Sequence, residues 1–240
     1  MSEILLEVKD IDVYYGLFQA IRKASINIKR GQTAGLFGPN GHGKTTIIKA
    51  ISGIQNPSQG KILFEGKEIQ DYSTEQIVDL GVIQVPQEAH LFPDMTVKEN
   101  LLLGAYSKKA WPNRFENIQT VHNLFPRLEE RENQLARTLS GGERQMVALG
   151  RGLMAGAKLL MLDEPSIGLS PIATEDLLFK IKDIKELGIT ILLVEQNITF
   201  VTELCDYLYL IESAEVKLEG STDDVLEKKE IVEAYLGRKF

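Results

Sequence analysis

Cysteine, tryptophan and histidine are scarce in this chain. Among 240 residues there are one cysteine, one tryptophan and three histidines, and aromatic residues make up 7%. A single cysteine forms no internal disulfide. Cys205 sits in an apolar stretch that reads as helical and is expected to be a small buried hydrophobe of a reducing compartment. His42, His90 and His122 show no metal-ligand spacing with one another or with Cys205. No apolar run approaches the ~18 to 20 residues needed to cross a bilayer. The longest, around Leu159–Leu162 and Ile189–Val194, have strand length, and the opening Met1-Ser2-Glu3-Ile4 has neither a basic nor an apolar leader region. A cytoplasmic chain is expected, one that another polypeptide must hold wherever it works at a membrane.

Positive charge is also in deficit. Lys+Arg 27 against Asp+Glu 34 leaves a formal charge of −7, a poor start for neutralising nucleic-acid phosphates. What remains is ordinary globular material. The chain is 43% hydrophobic and 25% charged, which excludes a disordered, fibrous or low-complexity protein, and its length suits one α/β core with a small appended arm.

β-type segments open the chain at Leu5–Tyr15, Ala24–Ile28 and the short apolar run Thr33–Phe37. Gly38–Gly43 interrupts the pattern, and Lys44–Ser52 reads as a helix with Ile47, Ile48 and Ile51 on one face. A turn at Asn56–Gly60 leads to a strand at Lys61–Phe64, and Val82–Val85 is a further short strand. From about Met95 to Leu135 the periodicity is helical and charge-rich, as in an arm inserted into the core. A helix at Gly142–Ala155, a strand at Leu159–Leu162, a helix at Ile172–Leu187 and a strand at Ile189–Val194 then alternate as in a mostly parallel sheet. Thr222–Leu236 has the pattern of an amphipathic helix.

Three segments carry chemistry. Gly38-Pro39-Asn40-Gly41-His42-Gly43-Lys44-Thr45 fits G-x-x-x-x-G-K-[ST] between a strand and a helix. Glycines let backbone N–H groups close on phosphates, the helix N-terminus adds a favourable dipole, Lys44 reaches the β and γ oxygens, and Thr45 offers a hydroxyl to Mg²⁺. The strand Leu159–Leu162 ends in Asp163-Glu164, where open α/β sheets bind their ligands. Asp163 suits the metal, and Glu164 suits a base for water attacking the γ-phosphate, an order that suggests hydrolysis. Leu139-Ser140-Gly141-Gly142-Glu143-Arg144-Gln145 starts a helix. Ser140 and Glu143 make a capping box, and the paired glycines also leave amides open to an anion.

With these motifs in this order, the chain resembles the ATP-binding cassette ATPases over nearly its whole length. The resemblance implies an α/β fold: a P-loop NTPase core with a mostly parallel sheet, an N-terminal antiparallel β portion and an inserted helical subdomain. It implies one domain over 1–240, with core at about 1–94 and 136–240, a helical arm at about 95–135 and a signature helix from 140. The nucleotide would be held by Gly38, Asn40, Gly41, Gly43, Lys44, Thr45 and Thr46, with Tyr15 stacking on adenine. Mg²⁺ would meet Thr45, Gln87 and Asp163, while Lys44, Glu164 and Gln196 would serve catalysis. In this family two subunits pair head to tail, so Ser140, Gly141 and Gly142 of one copy would cover ATP on the other. Gln87 stands at the hinge between core and arm, a position suited to sensing the γ-phosphate.

Leu124-Phe125-Pro126-Arg127-Leu128, Pro165–Pro171 and Val194-Glu195-Gln196-Asn197 resemble the ATPase subunits of branched-chain amino-acid importers and of related amide and urea importers. The ending Glu233–Gly237 resembles them too, and equally fits an ordinary helix end. The resemblance implies permease subunits in the membrane, a second cassette subunit (identical or not), a periplasmic or extracellular solute-binding protein, no nucleic acid, and a place on the inner face of the membrane. Lipid or drug exporters share every motif and stay open as an alternative, as does a regulatory nucleotide sensor without turnover.

Several residues depart from the wider pattern or carry two readings. Gln196 replaces the usual switch histidine, and Ser170 a usual aspartate. His42 replaces an ordinarily small residue and reads as a solvent-facing loop side chain in preference to a phosphate contact. His122 reads as surface, Glu129–Glu132 as a solvated helix face, and Trp111-Pro112 as an arm loop, either exposed or docked. Leu91-Phe92-Pro93 fits a docking groove for a membrane subunit as well as it fits core packing.

Overall fold

The computed structural model describes residues 3–228. In chain order it forms β1 (Ile4–Tyr15), β2 (Phe18–Lys29), β3 (Thr33–Phe37), α1 (Lys44–Ile51), β4 (Gln59–Phe64), β5 (Lys67–Glu68), α2 (Thr74–Asp79) and β6 (Val82–Val85). Then come α3 (Val97–Gly104), α4 (Arg114–Leu124), α5 (Pro126–Glu130), α6 (Gly141–Met154), β7 (Leu159–Asp163) and α7 (Pro171–Glu186). The last elements of the described residues are β8 (Thr190–Glu195), α8 (Ile198–Leu204), β9 (Tyr207–Glu212), β10 (Glu215–Ser221) and α9 (Thr222–Leu226). Two compact units share these elements: one contains residues up to Ile77 and from Thr190 onward, the other Val78–Ile189.

The first unit carries an antiparallel sheet in the order β2-β1-β4-β5. It also holds β3 between β8 and β9, parallel to both, with β10 antiparallel to β9. β3 and β8 are buried at every position, the condition of parallel strands covered on both faces, and this explains their unbroken apolar text. The second unit pairs β6 with β7 in parallel and packs α3, α4 and α5 against α6. Leu101, Val121 and Leu128 converge on Gly150 in the middle of α6. The fold class is the expected one, α/β with parallel pairing and an antiparallel N-terminal sheet.

Several expectations need correction. His122 is not on the surface: it is 6% exposed, its Nε2 lacks a hydrogen-bond partner, and its Nδ1 lies 3.8 Å from Glu129. Glu129 and Glu130 are exposed as expected, while the half-buried Arg131 and Glu132 pair with Glu143 at 3.2 Å and with Lys98 at 3.1 Å. Trp111 is half exposed, and with Phe115 it brackets the Arg114 guanidinium, at 4.2 Å and 4.3 Å from the ring centres. Cys205 is buried as expected but caps α8 in an extended conformation, just beyond the helix. The tail helix expected over Thr222–Leu236 ends at Leu226, with Glu227 as its C-cap; residues from 229 on, with Glu233–Gly237, lie outside the described residues.

The β9–β10 hairpin went unread for a physical reason. Its two-residue turn is Ser213-Ala214, both with left-handed φ (51° and 66°), a geometry usually signalled by Asn-Gly or Asp-Gly. β9 is nevertheless well anchored. The buried Tyr209 hydroxyl donates to the Asn27 carbonyl (2.7 Å) and accepts from the Asn27 amide (2.9 Å), tying β9 to β2. Burial pushes the Tyr209 phenol well above the ordinary tyrosine range, with the nearby Glu219 adding to the shift against an opposing hydrogen bond from Asn27.

Tyr209→Phe removes this exchange while leaving the ring, so it is expected to lower unfolding free energy by about 1 to 3 kcal/mol in a denaturant titration. The phenol stays protonated in the folded chain while its unfolded counterpart ionises above about pH 10. The contribution is therefore complete below about pH 10 and is lost as pH rises further, and the substituted protein should show a shallower alkaline loss.

Candidate active site

The cradle grows out of buried strand β3. Gly38 has φ 141°, and a Cβ there would collide with the Ile211 carbonyl of β9; Gly43 has φ 106°, and a Cβ there would lie 2.7 Å from the Ala20 carbonyl. Only glycine fits either place, so the loop is pressed against β9 and β2 and its path is determined. Gly41, with φ 78°, makes the third left-handed turn. Gly43 is the N-cap of α1 and has no side chain to cap the first-turn amides, so Lys44, Thr45 and Thr46 present their N–H groups at a helix start. Lys44 is 4% exposed, and its ammonium donates to the carbonyls of Gly38 (2.9 Å) and Pro39 (3.0 Å), which holds it within the loop.

Gln196 joins this group in the same unit. It follows β8, and its Oε1 accepts from Asn40 Nδ2 at 3.1 Å, while Asn197 caps α8. His42 is corrected here: it is not a free loop side chain. Its Nδ1 accepts from the Ser213 amide at 3.1 Å, pinning the loop to the turn after β9. Tyr15 lies 42% exposed at the end of β1, at the tip of the β1–β2 hairpin.

The second unit assembles the acids. Asp163 and Glu164 are both buried where β7 ends. Glu164 takes a left-handed φ of 46°, uncommon for a glutamate, and its Oε2 accepts from Gln87 Nε2 at 3.4 Å. Gln87 and Glu164 are 77 residues apart, so their pairing is the fold's doing. Ser170 caps α7 by accepting from the Ala173 amide at 3.3 Å, followed by Pro171 at the first helical position. Serine therefore does at this helix start what an aspartate would do.

α6 opens with the expected capping box: Ser140 Oγ accepts from the Glu143 amide (3.3 Å), and the Glu143 carboxylate accepts from the Ser140 amide (2.9 Å). Burial works to raise the Glu143 pKa. The Ser140 amide and hydroxyl, with Arg131 and Arg127 beyond, outweigh it and hold the carboxyl below the usual range. Gly142 has a packing reason as well, since a Cβ there would stand 3.2 Å from the Ala173 methyl of α7. Gly141 is exposed.

Sequence reasoning missed two residues of this unit. Arg151 of α6 donates to the carbonyls of Ala89 (2.7 Å) and His90 (2.9 Å), and Asn100 of α3, fully buried, brackets the same segment by accepting from the Phe92 amide (2.9 Å). Neither lies in a recognisable motif. Only the apolar surroundings of Asn100 on a predicted helix could have drawn attention to a buried amide.

A glycine-lined phosphate loop between a buried strand and a helix, in an α/β fold with acids at another strand's end, defines a nucleoside-triphosphate-binding ATPase. Comparison with known proteins narrows this. The family model for the ABC transporter matches residues 21–167. The branched-chain amino acid transport ATP-binding protein BraG of Pseudomonas aeruginosa is 36% identical, over 97% of this chain and 100% of its own length. The lipopolysaccharide export system ATP-binding protein LptB of Haemophilus influenzae is 29% identical over 98% of both chains. Among solved structures, the ADP conformation of the cassette MJ1267 superposes with a TM-score of 0.85 at 28% identity, covering 99% of this chain and 100% of that one. The chain belongs to the ABC transporter ATPase family and is an ATP-binding transporter subunit.

Lys44→Ala removes the one side-chain cation of the cradle. It is expected to weaken ATP binding at least about hundredfold by isothermal titration, and an unchanged affinity would remove the loop from the site.

Proposed function

We propose that this chain powers import of a small solute, branched-chain amino acids foremost, by ATP-driven closure of a pair of cassettes beneath membrane permeases. The observation that carries the hydrolytic part is Glu164: a buried carboxylate at a strand end, turned by a left-handed backbone and met by the Gln87 amide. A carboxylate so held can accept a proton from water attacking the γ-phosphate. The cradle amides and Lys44 bind the phosphates, and Tyr15 stacks on adenine. The oxygen-donor set of Thr45, Gln87 and Asp163 suits Mg²⁺, a hard cation. When bound, Mg²⁺ neutralises charge developing between the β and γ phosphates. Gln196, kept in place by Asn40, offers an amide to the γ-phosphate.

The exposed start of α6 supports the pairing. Ser140, Gly141 and Gly142 of one copy cover the triphosphate held by the other, so the γ-phosphate becomes a contact shared by both, and its loss on hydrolysis releases them. Likeness to BraG favours branched-chain amino acids and, with them, an external solute-binding protein. The exposed Phe92 supports a docking groove for a permease at Leu91-Phe92-Pro93.

Glu164→Gln keeps size and loses the basic oxygen. ATP affinity is expected to stay within about threefold of the parent while turnover falls at least about hundredfold. Light scattering should then show a dimer under saturating MgATP. A variant that turns over like the parent would remove Glu164 from its role, and one that stays monomeric with MgATP would overturn cassette closure. Leucine uptake by proteoliposomes carrying the chain with its permeases tests import; ATP-driven lipid release without uptake would place it among exporters.

A further inference from the structure

The segment after Gln87 is strained and held from outside itself. Ala89 and His90 are consecutive non-glycine residues with left-handed φ, 58° and 41°, and the His90 amide turns back to the Glu88 carbonyl at 2.6 Å. Adjacent left-handed residues without a glycine are unfavourable and persist only where surrounding structure imposes them. Here the imposing group is Arg151. The two terminal nitrogens of its guanidinium take the Ala89 and His90 carbonyls separately, at 2.7 Å and 2.9 Å. Asn100 fixes the far end. Its carboxamide accepts from the Phe92 amide and donates to the carbonyls of Phe92 (3.1 Å) and Thr96 (2.9 Å). α3 is itself seated on the same arginine, since a Cβ at Gly104 would collide with the Arg151 carbonyl.

We infer that Arg151 is a positioning residue for hydrolysis: it clamps the strained Ala89-His90 pair, sets Gln87 against Glu164, and ties the position of Gln87 to helix α6. α6 starts with Gly141, ten residues before Arg151 and on the same rigid helix. Movement of Gln87 with nucleotide state is therefore delivered to the signature end by two hydrogen bonds instead of through the 50-odd intervening residues. The planar guanidinium meets the two carbonyls from two nitrogens held in one fixed fork. A lysine ammonium offers a point charge without that fork.

The inference rests on the assignment of Gln87 to the hydrolytic site, so Gln87→Ala is measured alongside. ATPase rates of the full chain over a range of ATP concentrations should show kcat lowered about five- to tenfold in Arg151→Lys and Arg151→Ala, with KM within about twofold of the parent. Arg151→Lys is expected not to rescue Arg151→Ala. Ala89→Gly leaves the arginine in place but relieves the backbone strain. It should raise Tm by about 2 °C while lowering kcat, a pairing that a purely structural clamp does not produce. Parent-like kcat in Arg151→Lys and Ala89→Gly, with Gln87→Ala impaired, overturns the clamp alone. A Gln87→Ala variant with parent kcat overturns the assignment of Gln87 itself. A KM that rises in step with any fall in kcat counts against positioning.

Discussion

The proposed phosphate binding depends on a backbone constraint: the loop from Gly38 to Gly43 must keep one path. A flexible glycine loop alone would not do this, because its freedom would have to be lost on every binding event. The chain removes that freedom in advance by pressing the loop onto neighbouring backbone. Gly38 abuts the Ile211 carbonyl, Gly43 abuts Ala20, and His42 accepts from the Ser213 amide. Those contacts are reliable only because β3, β8 and β9 lie in fixed register beneath the loop. The glycines thus serve close approach as much as left-handed geometry, and Lys44 is tied to two loop carbonyls.

The start of α6 shows how one sequence can satisfy two demands. As a helix terminus it needs a cap, and Ser140 with Glu143 supplies it. As the surface proposed to meet a second copy it would need amides near the helix start to be accessible, and Gly141 is exposed. Gly142 is drawn toward packing by Ala173. The diglycine is therefore not surplus to the capping box: one glycine keeps a surface open and the other lets two helices meet.

The parts legible in the sequence are those whose signal is local. β3, β7 and β8 read correctly because parallel strands covered on both faces are apolar throughout, and the loop between β3 and α1 is legible because its glycines occur at fixed offsets. The parts that escaped have distant or atypical partners. The β9–β10 turn uses Ser213-Ala214 where Asn-Gly would have announced it. His42 finds a partner 171 residues away, and Arg151 finds its carbonyls 61 and 62 residues away. His122 escapes for a related reason. A helix rich in charge predicts a solvated face, yet the histidine next to Val121 turns inward with it. The second acid of the pair, Glu164, was visible by type and position, but its left-handed backbone and its contact with Gln87 belong to the folded chain.

Strain gathers near the acids in this unit. Glu164, Ala89 and His90 all carry left-handed φ, each at a cost of about 1 to 3 kcal/mol. Glycine at Ala89 would relieve one of these conformations outright. Glu164 is one partner of the hydrogen bond with Gln87, and Ala89-His90 lies just beyond the other partner in the chain. A left-handed turn at the strand end sets the course of the carboxylate, and a left-handed pair just beyond the glutamine sets the course of the amide. Relaxed backbone at either place would leave each side chain to find the other by rotamer sampling, at an entropic cost on every turnover. Under the inferred clamp, loss of the hold by Arg151 and Asn100 would release the strain of this segment, which suits the hinge role inferred for Gln87.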